Sequence, residues 1–303
     1  MHVKAYRRLP ILLVVLAVGT LAVGCGGLGA VSGGKELMLG YIEWDENVAV
    51  SSLTKILLEE ELGYRVELHV TNEEVVTQVF QHVASGDLNA FQDVWMPNHK
   101  TYLSEVRADV EHLDPWFEGE TVQGLAVPDY MDVHSVAELD RAGTDMIIGI
   151  EPGSAVHPQI KNEVIPGYDL DMKLVEASTP AMLSELEMAY KEREPIVFYA
   201  WSPHWMNTRY NIRYLEDPRD LQGDFNEPAK ISSIVNVDLR EDDPTAYAFL
   251  NALSLDQEQV NQLEAEINEA GSGNPEEGVH NWLADHRDTV RPWINAAKKA
   301  QEM

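Results

Sequence analysis

Short apolar segments alternate with helical segments along this chain, and this alternation limits the folds that it can adopt. Apolar runs at 37–42, 65–70 and 90–95 are separated by amphipathic stretches at 48–62 and 73–85. This rhythm is typical of α/β domains, in which helices connect neighbouring strands of one sheet. The sequence therefore predicts an α/β fold with a mostly parallel sheet flanked by helices.

The same rhythm starts again further along the chain, which indicates a second α/β unit. Further strands are predicted at 122–127, 146–150, 170–176, 196–200 and 230–237, with a helix at 179–192. A chain of 303 residues is long enough for two domains that each have a core. We predict lobe I at 37–124 plus 229–303 and lobe II at 125–228, with a ligand cleft between them.

The first 24 residues have the composition of an export signal rather than of a folded element. Lys4, Arg7 and Arg8 precede an apolar run of 15 residues at 9–23. A membrane span needs ~20 apolar residues, whereas the central region of a secretory signal is shorter. Residues 1–24 are therefore predicted to be a signal peptide, which places the mature protein outside the cytoplasm.

Cys25 is the only cysteine of the chain, and it follows the small residue Gly24 at the end of the apolar run. This arrangement resembles a bacterial lipoprotein signal, in which the cysteine is lipidated and becomes the mature N-terminus. We predict lipidation at Cys25 and a flexible, glycine-rich tether to the membrane at 25–36. Ordinary signal-peptide cleavage near this position is the alternative. With Cys25 as the anchor, the mature chain has no pair of thiols for a disulfide.

The chain is strongly acidic, with 51 Asp and Glu against 22 Lys and Arg and a formal net charge of −29. Such a surface repels nucleic acid and anionic lipid head groups. No nucleic-acid partner is therefore expected. The first interpretation is a solvated surface adapted to a saline medium, and the second is a field that attracts cations.

Three of the seven tryptophans share a position in the predicted fold. Trp44, Trp95 and Trp201 each lie at or just beyond the carboxyl end of a predicted strand, where open α/β sheets bind ligands. Each could instead pack in a core, but the shared position favours a common site. A quaternary ammonium has no N–H to donate, and aromatic ring faces can surround its charge. The three tryptophans are therefore predicted to form a cation cage.

A second group is needed, because three rings alone fall short of micromolar affinity. The segment Gly153, Ser154, Ala155 and Val156 lies between a predicted strand and a helix, where free backbone N–H groups favour an anion. His99, four residues after Trp95, is a further candidate donor. We predict that these residues bind a ligand carboxylate, although a turn of this kind and a single histidine are also common without a ligand.

At these residues the chain resembles the glycine betaine/choline substrate-binding proteins of ABC importers. The segments that carry the resemblance are GYIEWDE (40–46), DVWMPNHKTYL (93–103), GLAVPDY (124–130), IGIEPGSAV (148–156) and AWSPHWMNTRYNIRYLEDP (200–218). The resemblance extends over most of residues 37–290. It implies a two-lobed periplasmic-binding-protein fold that closes over its ligand. It also implies an ABC permease and ATPase as partners, and a monomer.

The resemblance assigns roles to individual residues. It implies that Trp44, Trp95 and Trp201 box a trimethylammonium group, and that the backbone of Ala155 and Val156 binds a carboxylate together with His99. The loop after Trp95 is one residue shorter than the family pattern. Gln123 stands where some choline-preferring relatives have an aromatic residue, so no fourth ring wall is expected. This favours a betaine over choline.

Several alternatives remain open. Within the class, the ligand could be choline, carnitine, proline betaine or a sulfonium analogue, and a sensor could present the same site. Asp45 either lines the site or caps the following helix. A secreted enzyme is disfavoured because no GxSxG, HExxH, Walker or GxGxxG motif is present. The histidines show no metal-ligand spacing, so neither a metal nor a cofactor is expected.

Overall fold

The computed structural model describes residues 35–70, 76–271 and 273–303. The predicted signal peptide, the lipidation site at Cys25 and nearly all of the predicted tether lie outside the described residues. The strands of the described part are, in chain order, β1 (Glu36–Tyr41), β2 (Arg65–Val70), β3 (Ala90–Met96), β4 (Val110–Pro115), β5 (Val122–Pro128), β6 (Met146–Ile148), β7 (Lys173–Val175), β8 (Val197–Ser202), β9 (Ile212–Tyr214) and β10 (Lys230–Asn236).

The helices lie between these strands and in the C-terminal part of the chain. They are α1 (Asp45–Leu62), α2 (Val76–Ser85), α3 (Lys100–Val106), α4 (Val156–Gln159), α5 (Ile165–Gly167), α6 (Thr179–Glu192), α7 (Met206–Arg209), α8 (Leu239–Asp242), α9 (Pro244–Ala252), α10 (Gln257–Ala270) and α11 (Pro275–Gln301). Two 3₁₀ turns (Val136–Arg141 and Gly223–Asn226) and a π-helical turn (Ile160–Val164) complete the set.

The strands form two separate five-stranded sheets, which confirms the predicted two-lobed α/β fold. The first sheet has the order β2-β1-β3-β10-β4, and the second has the order β7-β6-β8-β5-β9. We call the first sheet with the helices packed on it lobe I, and the second with its helices lobe II. The predicted domain limits stay predictions. β5 crosses the limit at residue 124, because the whole strand pairs within the second sheet.

The sheets are mostly parallel, as predicted, because four of the five strands of each sheet run in the same direction and one strand runs against them. β1 pairs in parallel with β2 and β3, but β10 is antiparallel to both β3 and β4. In the second sheet β6 is parallel to β7 and β8, whereas β5 is antiparallel to β8 and β9. β5 and β10 are the strands by which the chain enters a sheet from the other lobe. No crossover helix within the sheet sets their direction, so they need not run parallel to their neighbours.

Local signals explain why the main helices begin and end where they do. α1 ends at Gly63, whose φ of 71° is the left-handed conformation that glycine adopts without strain. α6 follows Ser178, whose side chain accepts a hydrogen bond from the N–H of Ala181 at 3.4 Å, and Pro180 occupies its first turn. The predicted helix at 179–192 is confirmed. No helix in the described part of the chain is both long enough and apolar enough to cross a bilayer.

The cores lie between the sheets and their helices, and three tryptophans belong to them. Trp116, Trp282 and Trp293 are almost completely buried. The indole N–H of Trp116 donates to the backbone oxygen of Gln92 at 2.7 Å. Trp293 packs edge-on against Phe249. α1 packs on β1, β2 and β3, which places its N-terminus at the edge of lobe I that faces lobe II.

Candidate ligand-binding site

A pocket of about 390 Å³, counting the part that is open to solvent, lies where the two sheets face each other. Its lining comes from both lobes and consists of Trp44, Glu46, Trp95, Asn98, His99, Gln123, Ile150, Ser154, Ala155, Val156, Tyr199, Trp201 and Phe225.

The three tryptophans of the predicted cage all line this one pocket. Trp95 and Trp201 are the penultimate residues of β3 and β8, so both strands end slightly later than predicted. Trp44 follows β1 and immediately precedes α1. All three residues are only 4–5% exposed to solvent. Three ring faces from two lobes therefore meet in a largely desolvated space, which is the arrangement that strengthens cation–π contacts.

His99 reaches the pocket despite the short loop after Trp95. Its Nδ1 accepts a hydrogen bond from the backbone N–H of Trp95 at 3.2 Å, and its ring stacks on Trp44 at 6.0 Å. Burial lowers the pKa of His99 to about 3, so the ring is neutral near pH 7. Because Nδ1 is an acceptor, Nε2 carries the proton and is the atom that can donate to a ligand.

The segment that was predicted to bind an anion also lies in the pocket wall. Ser154, Ala155 and Val156 line the pocket, and Val156 is the first residue of α4. The first N–H groups of a helix have no acceptor within that helix, so this backbone can donate to a carboxylate. Gly153 is not among the lining residues that the structure describes. It forms the preceding turn with a φ of 79°, and its carbonyl oxygen accepts a hydrogen bond from Tyr102 at 3.4 Å.

Each tryptophan of the cage donates its indole N–H to a buried carboxyl group. Trp44 donates to Glu151 at 2.6 Å. Trp95 donates to Asp93, two residues earlier on β3, at 2.8 Å. Trp201 donates to Glu46 at 2.8 Å. The orientation of all three rings is therefore fixed by acids that are themselves buried.

Burial dominates the ionisation of these acids. Burial raises the pKa of Asp93 to about 8, while hydrogen bonds from Trp95 and Glu46 oppose the shift. Burial, together with the charges of Asp93 and Glu264, raises the pKa of Glu46 well above its ordinary range. Burial also raises the pKa of Glu151, which accepts hydrogen bonds from Thr179 as well as from Trp44. A cation in the pocket would favour the ionised form of each group.

Asp45 does not line this pocket, although it was a candidate for it. It is the first residue of α1, and its Oδ1 accepts the indole N–H of Trp205 at 2.5 Å. Its Oδ2 lies 2.9 Å from Nε2 of the buried His204, whose ring packs edge-on against Trp201. Asp45 therefore contacts the loop that carries Trp201, and His204 and Trp205 support that loop.

The pocket has more aromatic walls than the sequence predicted. Tyr199 and Phe225 line it in addition to the three tryptophans, so the expectation that no further ring contributes is wrong. Tyr199 lies two residues before Trp201 on β8, and alternate residues of a strand share one face. This period could have identified Tyr199. Phe225 lies in a 3₁₀ turn and has no comparable signal.

Four further lining residues were not predicted as site residues: Glu46, Asn98, Gln123 and Ile150. Gln123 occupies the expected place at the start of β5, where it forms a polar network instead of a ring wall. Its Oε1 accepts hydrogen bonds from Asn98 at 2.6 Å and from Tyr199 at 3.1 Å, and its Nε2 donates to the carbonyl oxygen of Glu227 at 2.9 Å. This network holds lining residues of β5 and β8 and the loop after β3 together.

Two α/β lobes with an aromatic, largely desolvated pocket between them define a two-lobed small-molecule-binding protein. Residues 35–285 match the family described as the substrate-binding domain of ABC-type glycine betaine transport systems. This chain therefore belongs to that family of transport binding proteins, which are not enzymes.

Individual relatives show the same similarity. The chain is 33% identical over 156 residues to the glycine betaine/carnitine transport binding protein GbuC of Listeria monocytogenes, an alignment that spans 50% of each chain. It is 22% identical over 284 residues to the glycine betaine/proline betaine-binding periplasmic protein of Escherichia coli, covering 80% of this chain and 84% of that one. The crystal structure of lactococcal OpuAC, closed and complexed with glycine betaine, superposes with a TM-score of 0.76 at 31% identity, covering 86% and 99% of the two chains.

Proposed function

We propose that this protein captures glycine betaine or a similar betaine outside the cytoplasm and delivers it to an ABC permease and its ATPase. The observation that carries the proposal is the convergence of Trp44, Trp95 and Trp201 in one pocket with the backbone at 154–156 and His99. A betaine has a trimethylammonium group and a carboxylate, and these two sets of residues match its two ends.

Each half of the site has a defined task in this proposal. The rings of Trp44, Trp95 and Trp201 surround the cation and contribute about 6 kcal/mol at ~2 kcal/mol for each desolvated contact. Micromolar affinity corresponds to about 8 kcal/mol, so the cage needs help from the carboxylate contacts. The N–H groups of Ala155 and Val156 donate to the carboxylate, as does Nε2 of His99, with Ser154 at the rim. A neutral histidine suits this role because it donates without adding a second buried cation beside the ammonium.

A buried cage also suits the acidic surface of the chain. A medium that favours a net charge of −29 is one in which the cell benefits from importing osmolytes. Salt screens exposed charge pairs strongly but affects a desolvated cation–π contact much less. Binding by indole faces is therefore expected to persist at high ionic strength.

Choline is the alternative ligand, and the additional ring walls support it. The absence of a fourth ring was the reason to favour a betaine, but Tyr199 and Phe225 line the pocket. Choline carries a hydroxyl in place of the carboxylate, and the side-chain amide of Asn98, which donates one hydrogen bond to Gln123, offers a further N–H for it. Carnitine and proline betaine carry both a cation and a carboxylate and fit the same two halves of the site.

The test is calorimetric titration of the purified protein with glycine betaine, choline and glycine in low and high salt. Saturable binding of glycine betaine, with no binding of glycine, supports the proposal. Trp95→Ala should remove betaine binding while the thermal unfolding transition is retained. Binding of choline alone would replace the betaine assignment, and no response to any quaternary ammonium would exclude the cage.

The cellular location is a separate part of the proposal. The signal peptide at 1–24 and lipidation at Cys25 would keep the monomeric binding protein at the membrane surface, close to its permease. Expression of the Cys25→Ser variant tests the anchor. The wild-type protein should sediment with membranes and the variant should appear in the soluble extracytoplasmic fraction. Equal distribution of the two proteins would contradict lipidation.

A further inference from the structure

The acceptors of the indole N–H groups distinguish the cage tryptophans from the core tryptophans Trp116 and Trp282. Trp205, in the loop beside the cage, also donates to a carboxyl group, that of Asp45. Trp44, Trp95 and Trp201 donate to carboxyl oxygens of Glu151, Asp93 and Glu46. A buried indole N–H needs an acceptor, but a backbone carbonyl is sufficient. The core tryptophan Trp116 uses such a carbonyl. The indole nitrogen of Trp282 has no hydrogen-bond partner among the described residues.

A carboxyl group is an energetically unfavourable acceptor for a buried indole N–H. Removing it from water costs free energy unless several hydrogen bonds or an opposite charge compensate. The hydrogen bonds of Glu151 show how such a group is compensated. Its Oε1 accepts the backbone N–H of Thr179 at 2.6 Å, and its Oε2 accepts both the hydroxyl of Thr179 at 2.9 Å and the indole of Trp44. Three donors converge on this side chain, so its position relative to Trp44 is fixed.

Two of the three pairs join opposite lobes. Trp44 precedes α1 of lobe I, whereas Glu151 follows β6 of lobe II and contacts the N-terminus of α6. Trp201 lies on β8 of lobe II, whereas Glu46 lies in the first turn of α1. The pairs therefore cross the cleft in opposite directions. Trp95 and Asp93 are the exception, because both lie on β3.

The position of these acids also affects the ring faces. Hydrogen bonds polarise the groups that form them, so an indole that donates to an anionic acceptor carries more electron density on its ring. A ring with more electron density attracts a cation more strongly. A carboxylate behind a cage tryptophan therefore both orients the ring and strengthens its attraction for an ammonium group.

We propose that Glu151 and Glu46 are positioning residues of the ligand site: each holds a cage tryptophan of the opposite lobe, so the cation cage is completed only when the two lobes are closed. The inference rests on the proposed function, because it takes the pocket to be a cation site. Closure of the two lobes then brings the ring faces of the cage together. Discrimination in favour of a cation then depends on Glu151, which is not among the residues that line the pocket, and the position of Trp201 depends on the acceptor oxygen of Glu46.

The test for Glu151 compares glycine betaine with 3,3-dimethylbutanoate, in which carbon replaces the ammonium nitrogen. The two ligands share their shape and carboxylate, so the ratio of their affinities reports the attraction for the positive charge. Glu151→Gln removes the charge and leaves one amide oxygen for three donors. We expect this ratio to fall at least about fivefold, because the ring of Trp44 loses both its orientation and its anionic partner. Asp243→Asn is the matched control, since Asp243 is a largely buried acid that accepts the hydroxyl of Tyr64 at 2.8 Å, beyond the C-terminal end of α1 and away from the pocket. Its ratio should stay within about twofold of the wild type.

The test for Glu46 uses conservative rescue. Glu46→Leu removes the acceptor of the Trp201 indole and should weaken betaine binding about tenfold or more. Glu46→Gln keeps an oxygen in the same place and should recover affinity to within about threefold of the wild type. Thermal unfolding of each variant shows whether it is folded. If Glu151→Gln does not fold, the two Glu46 variants still show whether the acceptor oxygen behind a cage tryptophan is needed for binding.

Three results would overturn the inference. Glu151→Gln could leave both affinities unchanged, or it could weaken both ligands equally, which is the signature of a structural role alone. Glu46→Gln could bind as weakly as Glu46→Leu, so that the acceptor oxygen is irrelevant. If the wild-type protein binds neither ligand, the proposed function itself fails. If it binds betaine and every variant matches it, only the present inference fails.

Discussion

The loops that follow β3 and β8 begin alike, with Trp-x-Pro, and are held in place in different ways. Trp95 and Trp201 each precede, by two residues, a proline in a cis peptide bond, and each lines the pocket. In the first loop the indole of Trp95 donates to Asp93 on the same strand, and His99 accepts a hydrogen bond from the backbone of Trp95. These contacts hold the ring of Trp95 within lobe I, although Asn98 of the same loop also donates a hydrogen bond to Gln123 of lobe II at 2.6 Å.

The second loop depends on the other lobe. The indole of Trp201 donates to Glu46 and that of Trp205 donates to Asp45, both in the first turn of α1. His204 also faces Asp45 across the cleft. The ring of Trp95 is therefore positioned within its own lobe, whereas the ring of Trp201 is positioned by contacts between the two lobes. A ligand would first contact Trp95 and His99 of lobe I, and closure of the lobes would then bring the ring of Trp201 into contact with the ligand.

The largest expected effect comes from removing either ring. Trp95→Ala and Trp201→Ala should each lower the affinity for glycine betaine at least about 100-fold, since each removes a desolvated cation–π contact and part of the pocket wall. The two variants should differ in the free protein. Only Trp201→Ala breaks a contact between lobes, so only this variant should show a larger radius of gyration by small-angle scattering at zero ligand. The same radius in both variants would contradict the division between the two loops.

The two histidines provide the next comparison. His99→Ala should weaken glycine betaine binding about tenfold, the usual effect of losing one hydrogen bond to a charged group, and leave choline nearly unchanged. His204 contacts Asp45 and Trp201 rather than the pocket, so His204→Ala should weaken both ligands by the same factor. Calorimetric titration of both variants with both ligands measures this. Loss of betaine and choline binding in equal proportion in His99→Ala would exclude a carboxylate contact.

A smaller effect is expected at Asp45, which supports the second loop from outside the pocket. Asp45→Asn keeps one oxygen for Trp205 but loses the charge that faces His204. We expect betaine and choline affinities to fall together by about threefold to fivefold, because a hydrogen bond to a charged group is stronger than one to a neutral group. Asp132→Asn, a fully exposed acid on lobe II, is the control and should have no effect. A selective loss of one ligand would place Asp45 in contact with it.

The smallest effect concerns pH and the acid behind Trp95. Burial raises the pKa of Asp93 from its usual 3.8 to about 8. The folded protein therefore holds this proton more tightly than the unfolded chain does. The stability that results is complete below about pH 4 and is lost as the pH rises through about 8. Glu46 and Glu264 act in the same direction, because burial raises their pKa values as well.

Thermal unfolding between pH 6 and pH 9 tests this expectation. The melting temperature of the free protein should fall as the pH rises, and Asp93→Asn should reduce that slope. Glycine betaine should raise the melting temperature more at pH 9 than at pH 6, since a cation favours the ionised acids. An identical slope in Asp93→Asn would show that Asp93 does not titrate in this range.

The sequence predicted the elements and contacts within each lobe better than the contacts between the two lobes. Apolar runs and helix signals are local, so most strands and the helix at 179–192 were predictable, and with them the tryptophans at strand ends. β4 and β9 were missed because Val110–Pro115 is rich in polar residues and Ile212–Tyr214 spans only three positions. The antiparallel entry of β5 and β10 depends on how the chain passes between lobes, which no local pattern encodes.

The contacts between lobes were beyond the reach of sequence patterns. Glu46 and Trp201 are 155 positions apart, and Trp44 and Glu151 are 107 apart. Nothing in the local sequence distinguishes Glu46 from the other acids of a chain that contains 51. Tyr199 was within reach, because it shares a strand face with Trp201. Phe225 was not, because the turn that carries it becomes part of the pocket only through the fold.

The most direct test of the account is a crystal structure of the protein with glycine betaine bound. We expect the ammonium nitrogen to lie within about 6 Å of the ring centroids of Trp44, Trp95 and Trp201. The carboxylate should lie at about 2.7–3.2 Å from the N–H groups of Ala155 and Val156 and from Nε2 of His99. Betaine bound in the reverse orientation, or outside the three rings, would contradict the account.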